Sequence, residues 1–396
     1  MSAFHTPRDR IEFWLFAAAT FVLATTNSIL ALLALVLAEK HMNAEQIGIV
    51  LASPAVPMVL TMLLAGTVVA RLGALRMARA GALIIVLSYA SFELTAGSFA
   101  GAIASRVGYG IGHALFMPAG LLYITAKLTP RHKIYYVGIY ASMYPLPNAI
   151  APLLAEAYLW RYGASGLFLY SAIPALVGLL LVLGLTPSAA TAVGRAPLRD
   201  YLRHLRNPQL WTPYGGIFFF GLCWGFTVSF MALLLERRGV PVAYFFTTFT
   251  VCVFGARFLL VRFVQHLPRP VLFGAALVFL ALAFALLAFA RGPISVLAAG
   301  MLIGLGHSIA YPTLGVWVEQ QFAPAQQGMP LALFNALFTL GIYLLPLIGG
   351  YVIAAFGLGS MVLALAFACA LVAAALLLRA HRAPRTPAPR RLPEEP

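Results

Sequence analysis

Long apolar stretches alternate with short breaks along the whole chain, and the breaks are where Gly, Pro, Arg and Lys gather. They divide the sequence into twelve stretches that predict helices. The first six are Phe13–Leu37, Gln46–Ala70, Met77–Ala96, Ser98–Ala126, Tyr135–Ala157 and Ala164–Leu185. After a polar segment the last six follow as Trp211–Leu235, Val242–His266, Pro270–Ala290, Pro293–Gln320, Gly328–Ile353 and Phe356–Leu378. A helix of about 20 apolar residues crosses the roughly 30 Å hydrocarbon layer of a bilayer. The pattern therefore predicts an all-α membrane protein with twelve transmembrane helices. The first stretch follows a short basic leader, but it is longer than the apolar region of a signal peptide, so it reads as a permanent helix.

Composition agrees: of 396 residues, 62% are hydrophobic and 9% charged, more apolar surface than one water-soluble core can hide. The formal charge of +15 changes the picture only through its placement. The basic residues sit in the breaks between apolar stretches, which argues against nucleic acid as a partner and for a lipid bilayer. Basic loops stay cytoplasmic. With both ends inside, 19 of the 26 Lys and Arg fall on the cytoplasmic side and 5 on the other. The expected location is a bacterial-type inner (plasma) membrane, multi-pass, with both termini cytoplasmic. Five segments follow: a cytoplasmic N-terminus (1–12), a six-helix bundle (13–185), a linker carrying Arg195, Arg199, Arg203 and Arg206 (186–210), a second bundle (211–378) and a disordered tail (379–396). Cys223, Cys252 and Cys369 lie inside apolar stretches and read as small core residues.

The halves repeat. Gly110, Gly112, His113, Pro118, Pro130, Pro152 and Gly163 recur as Gly304, Gly306, His307, Pro312, Pro324, Pro346 and Gly357, a constant shift of 194 residues. This implies two homologous six-helix bundles related by an axis along the membrane normal.

With the repeat in view, the chain resembles the major facilitator superfamily over nearly all its length, and within it the bacterial efflux-type transporters. The segment Gly66-Thr67-Val68-Val69-Ala70-Arg71-Leu72-Gly73-Ala74-Leu75-Arg76 is similar to that family's signature between helices two and three, with Ala70 where the family has an acid. Arg106 ahead of Gly110 and Gly112 resembles its helix-four motif. Gly341, Leu345-Pro346 and Gly349-Gly350 have the spacing of its antiporter signature, here in the eleventh stretch; the fifth keeps only Gly138 and Pro152 of it. The resemblance implies gating roles for Gly66, Arg71, Gly73, Arg76, Gly341, Pro346, Gly349 and Gly350, and a central cavity lined by helices one, four, seven and ten.

Ionisable groups inside a membrane span are costly and mark function by default. Arg106 lies eight residues from Ser98, about 12 Å deep. Tyr109 and His113 follow at i+3 and i+7, on the same helix face. This face is a candidate anchor for an anionic or polar group; the alternative is an arginine paired inside the bundle for packing. His113 and His307 occur in the same unit of both halves, which favours packing, each bonding a neighbouring backbone. Asn27 shares a face with Thr20, and Trp224 with Phe220 and Met231; with Arg106, Tyr109, His113, His307, Tyr311 and Asn335, Asn27 and Trp224 make the candidate substrate-binding set, and Asn148 could add a hydrogen bond. Arg257 and Glu156 lie toward span ends and read as structural.

Glu93, Arg106 and His113 are the proton-coupling candidates. No Asp lies in any span, and Glu93 reaches a depth within about 6 Å of Arg106, so the two can pair across the hairpin. The alternative is a Glu93 that snorkels to the interface. Neither a phosphate loop, nor metal-ligand spacing, nor a nucleophile elbow is present, which excludes an enzyme and implies no cofactor. The expected function is secondary active transport of a small organic solute, proton-coupled export by a monomer. A proton-coupled importer of a small anionic or polar metabolite remains open, as does a non-transporting receptor.

Overall fold

The computed structural model describes residues 3–187, 198–264, 267–323 and 327–382, without the side chains of 134, 198–200, 202 and 257–264. Pro324, the end of the tail at 383–396, part of the linker and the side chain of Arg257 thus lie outside the described residues. What is described is almost wholly helical, with one isolated bridge between Phe4 and Leu128 as its β pairing. The apolar stretches form α1 (Pro7–Glu39), α2 (Ala44–Leu72), α3 (Ala74–Thr95), α4 (Phe99–Thr125) and a broken α5 (Lys133–Ser142 and Ala151–Tyr162). Next come α6 (Leu167–Leu183), α7 (Pro208–Ser229, continued by Met231–Glu236), α8 (Val242–Val264), α9 (Arg269–Phe289), α10 (Pro293–Glu319), α11 (328–356) and α12 (358–382).

Seven helical runs are long and apolar enough to cross a membrane, the run 328–382 counting as one; α6 and residues 242–256 of α8 are shorter apolar helices. The sequence predicts α5 and α7 as unbroken, and the structure corrects both. In α5, Pro145, Pro147 and Pro152 fall in or beside a gap bridged by a 3-10 turn at Leu146–Ala149, because each proline removes a backbone donor. In α7 the break is at Phe230. Helix α1 also begins at Pro7, within the segment read as a leader, where Thr6 caps it by accepting from the Asp9 amide.

The 194-residue shift is visible in the backbone. α4 and α10 share their bounds at that offset, 99–125 and 293–319. Gly163 and Gly357 both take left-handed φ values, 72° and 82°, where α5 and α11 end. Gly112 packs on the α3 backbone at Gly81, and Gly306 on the α9 backbone at Ala276, so a side chain at either place would collide with a carbonyl. Small residues let helices meet where lipid supplies no hydrophobic drive between them.

The outside is apolar: Leu60, Leu87, Leu180 and Phe367 are all half or more exposed, as suits a molecule dissolved in lipid. Polar contacts define the two ends. At one end the N-terminus, the end of α4 and the end of α6 meet in a buried cluster. Lys127 contacts Asp9 at 3.0 Å and also Glu12, while Glu12 accepts from Tyr123 at 2.9 Å and from Thr186. Arg79 of α3 donates to the carbonyls of Leu183 and Leu185 at the end of α6, at 2.8 and 2.7 Å. The opposite end holds the α1–α2, α3–α4, α5–α6 and α7–α8 turns.

Candidate functional site

Helix α4 presents Arg106, Tyr109 and His113 on one face, as their spacing predicts. Arg106 is only 4% exposed, and its guanidinium lies 5.0 Å from the Tyr109 ring centre, a cation–π contact. Its Nε and Nη1 are buried without hydrogen-bond partners. Helix α11 brings Tyr343 within interaction range of both Arg106 and Tyr109, so the arginine sits where the two halves of the chain meet. A small space lined by Ser88, Tyr89, Ser105, Arg106 and Tyr109 among others holds about 10 Å³, the lower limit for one water.

From Arg106 a chain of polar side chains runs inward. The Tyr109 hydroxyl donates to Asn27 Oδ1 on α1. Tyr144, in the break of α5, contacts both of these, and its hydroxyl lies 2.8 Å from His113 Nε2. His113 Nδ1 is buried without a partner. The expectation that His113 bonds a neighbouring backbone is thus corrected, since its partner is a side chain from another helix. Asn148 accepts from Ser28 at 2.6 Å, and Thr20 bonds Tyr140 outside the Tyr109 network.

The second half differs. His307 lies among three aromatic rings, with centroids 5.2 Å from Phe220, 4.7 Å from Trp224 and 5.4 Å from Phe249. One turn on, Tyr311 donates to Asn335 Oδ1 at 2.6 Å and packs on Phe338. Met231 starts a new helical piece beyond the α7 break and is fully buried, which separates it from Phe220 and Trp224. One half therefore offers a cation and hydroxyls, the other an aromatic wall.

Glu93 is corrected in its pairing. Its Oε1 lies 4.0 Å from Lys40 Nζ at the end of α1, while among the described residues Glu93 and Arg106 form no ion pair. Of the proposed gating residues, Gly73 has φ 80° and ends α2, and Arg71 and Arg76 are exposed with no ion pair among the described residues. Gly341 packs on the α7 backbone at Phe218 and Gly221, and Gly349 on the Phe230 ring. Gly350 meets Gly48 of α2, backbone against backbone, with Pro346 beside them.

Sequence reasoning misses Tyr144 and Tyr343, because tyrosines in an aromatic-rich membrane chain carry no spacing signal of their own. It also assigns Glu156 no partner. In the structure the Glu156 carboxylate accepts from the Val242 and Ala243 amides at 2.8 and 3.1 Å, and Thr247 donates to the Ala149 carbonyl at 2.8 Å. These contacts join α5 and α8 at the end away from the termini. Toward the middle, the Thr339 hydroxyl meets Met62 Sδ at 3.7 Å.

The geometry can be set beside known proteins. The family model described as Major Facilitator Superfamily matches residues 15–267 and 242–396. The staphylopine export protein of Staphylococcus aureus is 24% identical over 300 residues, covering 71% of this chain and 73% of that one. Among solved structures, a POT family transporter in complex with 5-aminolevulinic acid superposes with a TM-score of 0.77 at 13% identity, over 93% of this chain and 96% of that one. The human organic anion transporter superposes with a TM-score of 0.69 at 15% identity, over 94% and 100%. Helical architecture, repeat and a family match running through both halves agree: the chain is a membrane transporter and belongs to the major facilitator superfamily.

Proposed function

We propose that the protein is a proton-driven exporter of a small organic solute bearing a carboxylate or similar anionic group, working by alternating access. The observation that carries this is Arg106, a buried guanidinium with no acidic partner among the described residues and two unsatisfied nitrogen atoms. Leaving such a cation buried and unpaired is expensive, so a site of this kind favours a bound anion. The planar fork suits a carboxylate. Across the bundle, Trp224, backed by the buried rings of Phe220 and Phe249, offers the less polar end of the solute an apolar surface, and Tyr311 and Asn335 add hydrogen-bonding groups.

In this reading both termini are cytoplasmic, and the contacts at Glu156, Thr247, Gly48 and Gly350 close the outer face. The conformation is then the one that loads from inside. Export is supported by the antiporter-like spacing in α11 and by the distant relative that exports staphylopine; an anionic substrate is supported by the relative that carries organic anions. Proton coupling rests on His113, whose Nε2 meets Tyr144 and whose Nδ1 has no partner, in the same network as Arg106.

The test is flux into inverted vesicles with an imposed pH gradient, using solutes picked by comparing medium and cytosol with and without the gene. Gradient-dependent, protonophore-sensitive uptake of a carboxylate-bearing solute supports the reading. Flux that follows a sodium or counter-solute gradient and ignores the proton gradient overturns proton coupling. Ligand binding with no flux makes the protein a receptor.

A further inference from the structure

Helix α8 begins at Val242 directly after Pro241, so no side-chain oxygen stands at its cap position. The first amides of a helix have no partner within it, and an adjacent serine, threonine or carboxylate normally supplies one. Here the supplier comes from the other half of the chain. Glu156, near the end of α5, holds the amides of Val242 and Ala243, the first two of α8. A carboxylate at this place also faces the positive end of the helix dipole. Just inside, Thr247 ties the same helix to the Ala149 carbonyl in the 3-10 turn of α5's break.

We propose that Glu156 is the outer-gate latch of this transporter, a carboxylate that caps α8 across the two halves only while the outer face is closed. Release of a solute on that side requires the ends of α5 and α8 to part. The carboxylate and the two amides then lose each other and turn to water, and so does the Thr247 hydroxyl. The interaction is made in one state and absent in the other, which is the condition for a contact to bias a conformational equilibrium. Two charge-assisted hydrogen bonds correspond to a preference of roughly a hundredfold or more for the closed outer face. The latch joins backbone to side chain, so it tolerates any residue with an amide at 242 and 243 but depends on the acceptor at 156. It rests on the alternating-access reading and is independent of the solute and the coupling ion.

The experiment uses the full chain in lipid nanodiscs without substrate, so its failure leaves the proposed function standing. In a background with Cys223, Cys252 and Cys369 replaced, spin labels at Tyr162 on α5 and Tyr244 on α8, both exposed, report the opening of the outer face by pulsed dipolar spectroscopy. The parent is expected to show mainly the short distance. Glu156→Ala should raise the ratio of long to short distance about tenfold or more, and Glu156→Gln, which keeps one acceptor oxygen but no charge, should fall between. Unchanged distance distributions in both variants overturn the latch. So does loss of folded protein in both, which would make Glu156 a folding residue.

Discussion

The Nε2 of His113 lies 2.8 Å from the hydroxyl of Tyr144, across the gap between α4 and the break of α5. That hydroxyl also serves Tyr109 and Asn27, so one oxygen links two residues of the α4 face that carries Arg106 to α1. Tyr144→Phe keeps the ring and removes the oxygen. The expected result is a loss of roughly 1–3 kcal/mol in thermal stability in detergent, from groups left unsatisfied, together with slower transport. Unaltered melting and flux would show the network to be incidental.

Arg106→Ala should abolish transport while the folded protein is retained, because among the described residues no acidic partner is left stranded by removing the guanidinium. Arg106→Lys should recover only part of the rate, since an ammonium lacks the planar fork. Flux and size-exclusion profiles of both variants check this; an unfolded Ala variant would return Arg106 to a packing role.

Coupling should separate the two proton candidates. Glu93 lies beside Lys40 at an end of the bundle, both partly exposed. Glu93→Gln is therefore expected to cost under about 1 kcal/mol of stability and to leave gradient-driven flux standing. His113→Asn should keep solute exchange but lose the response to an imposed pH gradient. The reverse outcome would move the coupling group to Glu93.

Lys127 is buried between Asp9 and Glu12 at the end that holds the N-terminus. Lys127→Met strands two carboxylates and should destabilise the chain by roughly 3–5 kcal/mol, read as a lower melting temperature. The flux of the surviving folded fraction should match the parent, because the cluster lies away from Arg106.

Both termini are expected in the cytoplasm. Reporter fusions after Leu205 and after Leu378 should give cytoplasmic signals, and a signal from the other side at either position would reverse the topology.

Much of the fold was legible because lipid imposes a simple rule: backbone groups must be satisfied within the helix, so apolar length marks each element. The shift of 194 residues anticipated the matching bounds of α4 and α10 and the paired turns at Gly163 and Gly357. The break in α5 was signalled by Pro145, Pro147 and Pro152 but overridden by the run of apolar residues around them. The alignment of Arg106, Tyr109 and His113 followed from helical spacing alone. Their partners did not, since Tyr144 and Tyr343 arrive from distant segments by tertiary packing. Glu93 was placed by depth, which helical rise supplies, while the choice of Lys40 over Arg106 depends on helix rotation, which it does not.

Gly48 and Gly350 touch through their backbones, with no side chain between them. A contact of that kind has no rotamers to rearrange, so the spacing of α2 and α11 there is set by backbone alone. It also makes the position a handle for engineering. A bulky residue there, as in Gly48→Leu, would collide with the Pro346 carbonyl and the Gly350 backbone, and is expected to disfavour the closed form of that face, giving a variant in which the opposite half of the transport cycle can be imaged.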